Sequence, residues 1–532
     1  MAGKTLSVAV LLLFLALAVR APHLWNKMTA DDTWTASGVL NLSRGITIED
    51  GLTKQLAFWY GTPESPATQS RFFLMQNHPP LYLYNYLPFV EALGHNEFAL
   101  RLPALLAGLA ALLVTYLTAK KFIGKETAAL SLALGVFSAY HAFHNSLVIE
   151  VSGSFAGLAF AAATYYFLKA EKGGKLADYA AAGAVLLFGV LTYMITVVLW
   201  FGMVALLALQ RKWKEAGVVF SIVFVGYAAL ALGYIAFLDS EYLLKIFYNP
   251  VSFSAIASGA PLSERLTGII AGNALLLQQL SPALASILFL AVAQAAWNAV
   301  SKRKFDLGLT EHKVLALFLL LTGVVALAGG MAKDRYFAPS LYLSFLVAGT
   351  WLSSTVKAWV EKDWKLATAS AAAAFAALAA TGYHEYFYYE YALYGSNALS
   401  FAAFALPLIP LTAAVFLPRH RRTSAVVLLG LFLGAGLYHV AFNETKWQIA
   451  ISRAVDFGLA SNATFFASKS SYMLHSIAYY DYYKDGRERI ENSYVLASLA
   501  QIDEISKMKG CESYFVGSYP LLVACDEWSY GK

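Results

Sequence analysis

Apolar runs recur along the chain, separated mostly by short polar connectors. Thirteen are long enough, or nearly so, to cross the ~30 Å hydrocarbon core of a bilayer as helices. They fall roughly at residues 4–20, 98–119, 125–140, 151–169, 177–192, 194–210, 216–238, 282–300, 313–330, 336–356, 366–382, 398–418 and 423–442. Helices are expected because each satisfies its backbone amides within its own segment, where no water is present. Three stretches break the pattern: residues 21–97, 239–281 and 443–532. The pattern predicts an all-α polytopic membrane domain over residues 1–442, with two long loops, and a separate small α/β unit over residues 443–532. In that tail, residues 463–467, 491–496, 513–516 and 521–524 read as strands, and 471–483 and 498–509 as helices.

Composition agrees and narrows the class. Of 532 residues, 59% are hydrophobic and 14% charged, whereas soluble domains carry about 25% charged residues. A disordered chain, a coiled coil and an ordinary cytosolic enzyme are excluded. The net charge of +6 would fit a nucleic-acid partner, but its placement argues otherwise. Alternate connectors carry Lys120, Lys121 and Lys125; Lys169, Lys172 and Lys175; Arg211, Lys212 and Lys214; Lys302, Arg303 and Lys304; Lys357, Lys362 and Lys365; Arg419, Arg421 and Arg422. The opposite short connectors are nearly free of Lys and Arg, so the positive-inside rule sets the basic ones in the cytoplasm. The expected protein is a multi-pass cell-membrane protein with a cytoplasmic N-terminus, an extracytoplasmic tail and no nucleic-acid partner. Lys4, an apolar run and Val19-Arg20-Ala21 also have the shape of a signal peptide; uncleaved, the run is the first span. Two cysteines provide no metal framework. Cys511 and Cys525 flank the expected hairpin, and a disulfide or a pair of buried thiols both fit them.

Any chemistry then belongs to the outer face. The first long loop carries Asp31 and Asp32 just past the first span. Such carboxylates are hydrated or paired; they suit an acidic helix cap, or a general base with a neighbour that orders it or holds a cation. The loop ends on Asn77-His78-Pro79-Pro80-Leu81, where the prolines fix an extended turn that displays Asn77 and His78. Arg101 follows at the mouth of the second span, placed to snorkel toward headgroups or to contact substrate. The turn after the third span carries His141, His144 and Glu150. An acid at the membrane edge is a candidate functional group, and the two histidines leave a divalent cation as an open option. Lys333 and Arg335 stand in an otherwise uncharged outer connector, against the topological bias. An anion is the simplest reason, and arginine suits phosphate through its fixed pair of donors. The aromatic run 383–391 fits an interfacial belt or sugar stacking.

Taken in order, these residues resemble the GT-C membrane glycosyltransferases, nearest to the branch holding protein O-mannosyltransferases and the aminoarabinose transferases that modify lipid A. The resemblance rests on the acidic pair after a first span, the His-Pro-Pro-Leu turn, the Arg-Leu-Pro at residues 101–103 and the Arg335-Tyr336 pair before a later span. Asp31-Asp32 stands where the family usually has Asp-Glu. The resemblance implies a GT-C fold and a sugar, such as mannose, carried on a polyprenyl or dolichyl phosphate. An acceptor hydroxyl of a glycan, protein or lipid attacks the anomeric carbon with inversion, and lipid phosphate leaves. Asp31 or Asp32 would be the base. Lys333 and Arg335 would stabilise the leaving phosphate, with Arg265 or Lys245 of the second long loop assisting. The lipid phosphate is already a good leaving group, so no general acid is demanded; a divalent cation stays an open option, and no Gly-rich phosphate loop points to a nucleotide sugar. The Trp-Trp-Asp-Tyr-Gly signature of oligosaccharyltransferases is absent, Trp528-Ser529-Tyr530-Gly531 lacking the acid. The rival classes are a transporter or flippase, for which internal repeats and midplane polar residues would be expected, and a non-catalytic subunit of a glycosylation complex.

Overall fold

A computed structural model of the chain describes residues 2–25, 35, 36, 38–40, 43, 81–142, 153–237, 262–302, 306–327, 333–381, 405–441, 464–468, 494–497, 511–516 and 519–525. Helix α1, Ala2–Arg20, runs into a 3-10 turn, Ala21–Trp25. Two short helices, α2 (Leu81–Tyr84) and α3 (Leu87–Leu93), close the first long loop. The bundle continues with α4 (Glu97–Phe122), α5 (Lys125–Val136), α6 (Ala139–Ala142), α7 (Phe155–Gly173), α8 (Leu176–Thr192), α9 (Thr196–Leu209) and α10 (Trp213–Phe237). Its second half holds α11 (Leu262–Gln279), α12 (Pro282–Lys302), α13 (Thr310–Leu327), α14 (Lys333–Phe337), α15 (Leu341–Thr381), α16 (Leu408–Phe416) and α17 (Arg421–Ala441).

A helix lies within or across each of the thirteen apolar segments. Five described stretches are long and apolar enough to cross a membrane: Val8–Trp25, Glu97–Phe122, Trp213–Leu230, Pro282–Ser301 and Thr310–Leu327. Local chemistry explains the ends and the few polar groups inside. Asn96 caps α4, its Oδ1 accepting the Ala99 N–H at 2.9 Å, which satisfies one of the orphan amides of the first turn. Thr115, Thr118 and Thr164 each donate to the carbonyl four residues back at 2.7–2.8 Å, so their hydroxyls cost little in an apolar setting.

Four features differ from the expected pattern. The third segment breaks at Phe137, and a new short helix starts with the His141 N–H bonded to Ser138 Oγ at 3.2 Å. The second long loop contains helix α11, whose exposed apolar residues Leu266, Ile270 and Leu277 alternate with polar ones. The tenth and eleventh segments lie on two helices that meet at a kink at Asp363, with no loop between them. In the twelfth, the described helix spans only 9 residues.

Small residues let α15 and α17 pack closely. A Cβ at Gly430 would lie 2.7 Å from the Ala367 carbonyl oxygen, and one at Gly434 would strike the Ala371 carbonyl. Gly430 and Gly434 form the G-x-x-x-G spacing that brings membrane helices together. Gly434→Leu is therefore expected to destabilise the bundle by about 1–3 kcal/mol through overpacking; a lowered midpoint of thermal unfolding in detergent would register it.

At the end of the bundle carrying the basic connectors, Glu171 accepts hydrogen bonds from Lys212 Nζ at 2.7 Å, Lys313 Nζ at 2.5 Å and Tyr179 Oη at 2.5 Å. Lys169 pairs with Asp178 at 2.7 Å beside it. These bonds join α7, α8, α13 and the connector before α10.

The tail holds a four-stranded sheet, β1 (Thr464–Ser468), β2 (Tyr494–Ala497), β3 (Cys511–Val516) and β4 (Tyr519–Cys525), in the order β2-β1-β4-β3. The β1–β2 pair is parallel and the other two are antiparallel. A parallel pair requires a crossover connection, which is where a helix over 471–483 is expected. Both expected tail helices lie outside the described residues. Cys511 and Cys525 stand directly opposite each other in the β3–β4 register.

Candidate functional site

Asp31, Asp32, Asn77, His78, His144, Glu150, Lys245 and the aromatic run 383–391 lie outside the described residues. Their flanking anchors are described. Thr35 Oγ1 hydrogen-bonds Tyr82 Oη at 3.0 Å, with both residues buried. The chain leaving the acidic pair is thereby tied to the chain leaving Pro79-Pro80. Ala36, Val39 and Leu40 are buried alongside, and Ser43 Oγ meets His95 Nε2 at 3.1 Å. Asn85 Nδ2 donates to Thr192 Oγ1 at 3.5 Å, which fixes the end of the first loop to the C-terminal end of α8.

Arg101 is buried on α4, 1% exposed. A side chain snorkelling to headgroups would be largely exposed, so the buried position inside the bundle replaces that expectation. The ring of Trp25 packs on Phe98 at 5.0 Å between centroids, which sets the turn after α1 beside the first turns of α4.

Arg20, like Arg101, is a fully buried arginine, 1% exposed. It donates to the carbonyls of Ala16 at 3.4 Å, Gly135 at 3.3 Å and Val136 at 3.0 Å. The last two belong to the C-terminal turn of α5, whose orphan carbonyls and negative dipole end favour a cation. Arg20 Nη2 also lies 3.2 Å from His141 Nδ1. His141 Nε2 lies 3.0 Å from Tyr342 Oη, which donates to the Gly153 carbonyl at 2.7 Å. Both ring nitrogens of His141 are thus taken by protein groups. Gly157 makes room for this arrangement, because a Cβ there would collide with the Tyr342 ring. The end of α1, the turn at 139–142, the start of α7 and the start of α15 meet at this cluster.

Lys333 and Arg335 lie on α14, which packs against α11, the helix bearing Arg265, and against α13. Arg335 is half-buried and engaged by neighbours. The 3-10 turn Ala338–Ser340 that follows is buried and packs on α7. Three cation candidates therefore sit on two helices in contact. Among the described residues, no three His, Cys, Asp or Glu gather as metal ligands.

Sequence reasoning passed over Arg20, Tyr342 and Gly157. Arg20 was legible as a lone cation ending an apolar helix, a placement that asks for a partner. Tyr342 and Gly157 sit within apolar runs and give no such signal.

A family model described as dolichyl-phosphate-mannose-protein mannosyltransferase matches residues 77–237. No curated protein matches the sequence. Among solved structures, ArnT from Cupriavidus metallidurans bound to undecaprenyl phosphate is similar at 14% identity and a TM-score of 0.51, covering 98% of this chain and 97% of that one. The apo form of the same protein is similar at 14% identity and a TM-score of 0.54, covering 98% of each chain. The archaeal oligosaccharyltransferase AglB from Archaeoglobus fulgidus, in complex with an inhibitory peptide and a dolichol-phosphate, is a looser likeness at 15% identity and a TM-score of 0.44, over 81% of this chain and 56% of that one. The chain shares its fold with that of ArnT along almost its whole length, and its residues 77–237 match the family model of the dolichyl-phosphate-mannose-protein mannosyltransferases.

Proposed function

We propose that this protein is an inverting glycosyltransferase that moves a hexose, such as mannose, from a polyprenyl or dolichyl phosphate to an acceptor hydroxyl at the extracytoplasmic face of the cell membrane. The observation that carries the reading is a convergence. Bonds from Thr35 to Tyr82 and from Arg20 through His141 to Tyr342 tie together the chain just after the acidic pair, the chain just after Pro79-Pro80, the end of α1, the turn at 139–142 and the start of α15, and this supports the reading. The matched region 77–237 covers the His78 turn, Arg101 and the turn carrying Glu150.

In this reading Asp31 or Asp32 takes the acceptor's hydroxyl proton as its oxygen forms the bond to the anomeric carbon. The bond from that carbon to the phosphate oxygen breaks on the opposite face, with inversion, as in inverting glycosidases with the water replaced by an alcohol. The phosphate leaves with the electron pair. Its growing charge is stabilised by cations already in place, supplied by α14 and assisted by Arg265 on α11. The bundle of thirteen spans, with the N-terminus in the cytoplasm and the sheet-containing tail outside, holds the prenyl chain in the apolar phase. The acceptor is a protein, glycan or lipid hydroxyl.

Two measurements bear on the reading. Incubation with an α- or β-linked polyprenyl-phosphate hexose and an alcohol acceptor is expected to yield the opposite anomer by NMR; a retained anomer would rule out direct displacement. Arg335→Ala is expected to raise the donor KM by roughly tenfold, the worth of one charge-assisted hydrogen bond. An unchanged donor KM would remove Arg335 from the phosphate site.

A further inference from the structure

We propose that Cys511 and Cys525 form an intrachain disulfide that closes the open end of the β3–β4 hairpin in the tail. The inference rests on the proposed function only for the side of the membrane on which the tail lies. The pairing itself follows from the register of the sheet.

The chain holds two cysteines, and the fold brings them together. β3 and β4 run antiparallel, and Cys511 is the register partner of Cys525. Opposed residues of an antiparallel pair have Cα atoms about 4.5 or 5.5 Å apart and share one face of the sheet. A disulfide spans Cα separations of about 4.4–6.8 Å, so it bridges this pair without backbone movement. An irregularity in the ladder is what sets the cysteines level. Next to the turn, Val516 pairs with Tyr519 and Phe515 with Pro520, but Tyr514 then pairs with Leu522, passing over Leu521. Continued without that shift, the ladder would oppose Cys511 to Ala524 and leave Cys525 on the other face. The extra residue in β4 restores the match.

The position of the pair gives the link a purpose. In the order β2-β1-β4-β3, β3 is an edge strand and β4 lies inside, with Cys525 also in register with Thr464 of β1. The connector between Val516 and Tyr519 closes one end of the hairpin. The cysteines stand at the other end, where an edge strand detaches first, because strand termini open most readily. A link there ties the edge to the middle of the sheet. Thiols held at this spacing stay reduced in a cytosol and are oxidised outside it, and the tail lies outside in the proposed topology.

The bond forms by thiol–disulfide exchange with an external disulfide, protein-borne or small. One cysteine attacks that disulfide as its thiolate, and the other then displaces the mixed disulfide. One S–S bond forms in this chain and one breaks in the partner, which leaves as two thiols carrying both electrons and both protons. The link closes residues 511–525 into a loop of about 15 residues. On the chain-entropy account, this disfavours opening of the hairpin by up to about a hundredfold.

The test uses the full-length protein in its own cells, quenched in acid, denatured and treated with a maleimide before and after reduction. No label is expected before reduction and two labels after it. The tryptic peptide 510–532, which holds both cysteines, is expected to be lighter by two hydrogens in the unreduced chain. Two labels without reduction, or a disulfide-linked dimer on a non-reducing gel, would overturn the proposal. A membrane-impermeant reductant followed by an impermeant maleimide, applied to intact cells, reads the side of the membrane, and labelling is expected. Free thiols in a tail that labels in intact cells would overturn the disulfide alone. Labelling only after lysis would overturn the outer placement of the tail, whatever its redox state. In purified protein, chymotrypsin cleavage within residues 511–525 is expected to quicken by up to about a hundredfold on reduction. An unchanged rate would overturn the closing role of the link.

Discussion

Asp31→Asn combined with Asp32→Asn is expected to lower the rate of sugar transfer by roughly 10²–10⁴-fold, the usual contribution of a positioned general base. The alcohol acceptor is a weak nucleophile until its proton is removed. The donor's phosphate needs no proton to leave, so the loss falls on the acceptor side. Donor binding is expected to survive, because the acidic pair is not a phosphate ligand in this account. The single variants assign the role. Whichever of Asp31→Asn and Asp32→Asn approaches the double variant carries the base, and the other, with the smaller loss, orders it. Steady-state rates on variants that insert and unfold like wild type provide the check. If both single variants and the double variant transfer at the wild-type rate, the base lies elsewhere.

Glu171→Gln is expected to destabilise the folded protein by about 3 kcal/mol, because removing one partner of a buried ion pair leaves its counter-charge uncompensated. The Glu171 side chain is 3% exposed, and Lys313, which it holds, is 8% exposed. Lys212 is 36% exposed and regains water more readily, so Lys313 dominates the cost. Burial pushes the Glu171 carboxyl up, but hydrogen bonds from Lys212, Lys313 and Tyr179 outweigh it and hold the group below its ordinary 4.5. The contribution of a depressed carboxylate is fully present above its unfolded pKa and is lost as pH falls through the folded one. Wild type should therefore lose stability below about pH 4.5, and Glu171→Gln should show a weaker acid dependence over that range. Thermal unfolding of the two proteins across pH 3–7 decides this. Parallel curves would show that the cluster contributes little to folding.

The architecture was legible where one physical signal dominates. Runs such as 97–122, 282–302 and 310–327 are apolar on all sides, and length alone marks them. The tail strands 464–468, 494–497, 511–516 and 519–525 lie within a few residues of the expected positions, because β-branched and aromatic residues cluster there between turn residues. Helix α11 was not legible. Its apolar positions Leu266, Ile270 and Leu277 are diluted by Glu264, Asn273 and Gln278, so a search for membrane-length runs passes over an amphipathic helix. Lys357, Lys362 and Lys365 read as a connector; the kink at Asp363 falls among them, and helix runs up to it from both sides, because such residues propagate a helix readily.

The candidate site divides in the same way. Charges standing against topology, Lys333 and Arg335, were visible as exceptions to a rule. The relay of Arg20, His141 and Tyr342 was not, because its members are separated by more than a hundred residues and one is a tyrosine within an apolar run. His141 stood out as a candidate ligand, yet in the fold both of its nitrogens bind protein. Glu171 was hidden for the opposite reason. Among Lys169, Lys172 and Lys175 it reads as one more solvated charge, and only the packing of α7 against α8 and the bond from α13 make it a buried clasp.

The most direct test is to supply purified protein in bilayers with a polyprenyl-phosphate hexose and a hydroxyl acceptor, and to count free polyprenyl phosphate against glycosylated product. Lipid phosphate released in equal amount to product, only when acceptor is present and only with the acidic pair intact, is the predicted result. No release with any polyprenyl-phosphate sugar, or release that the Asp31→Asn, Asp32→Asn double variant leaves unchanged, would contradict the account.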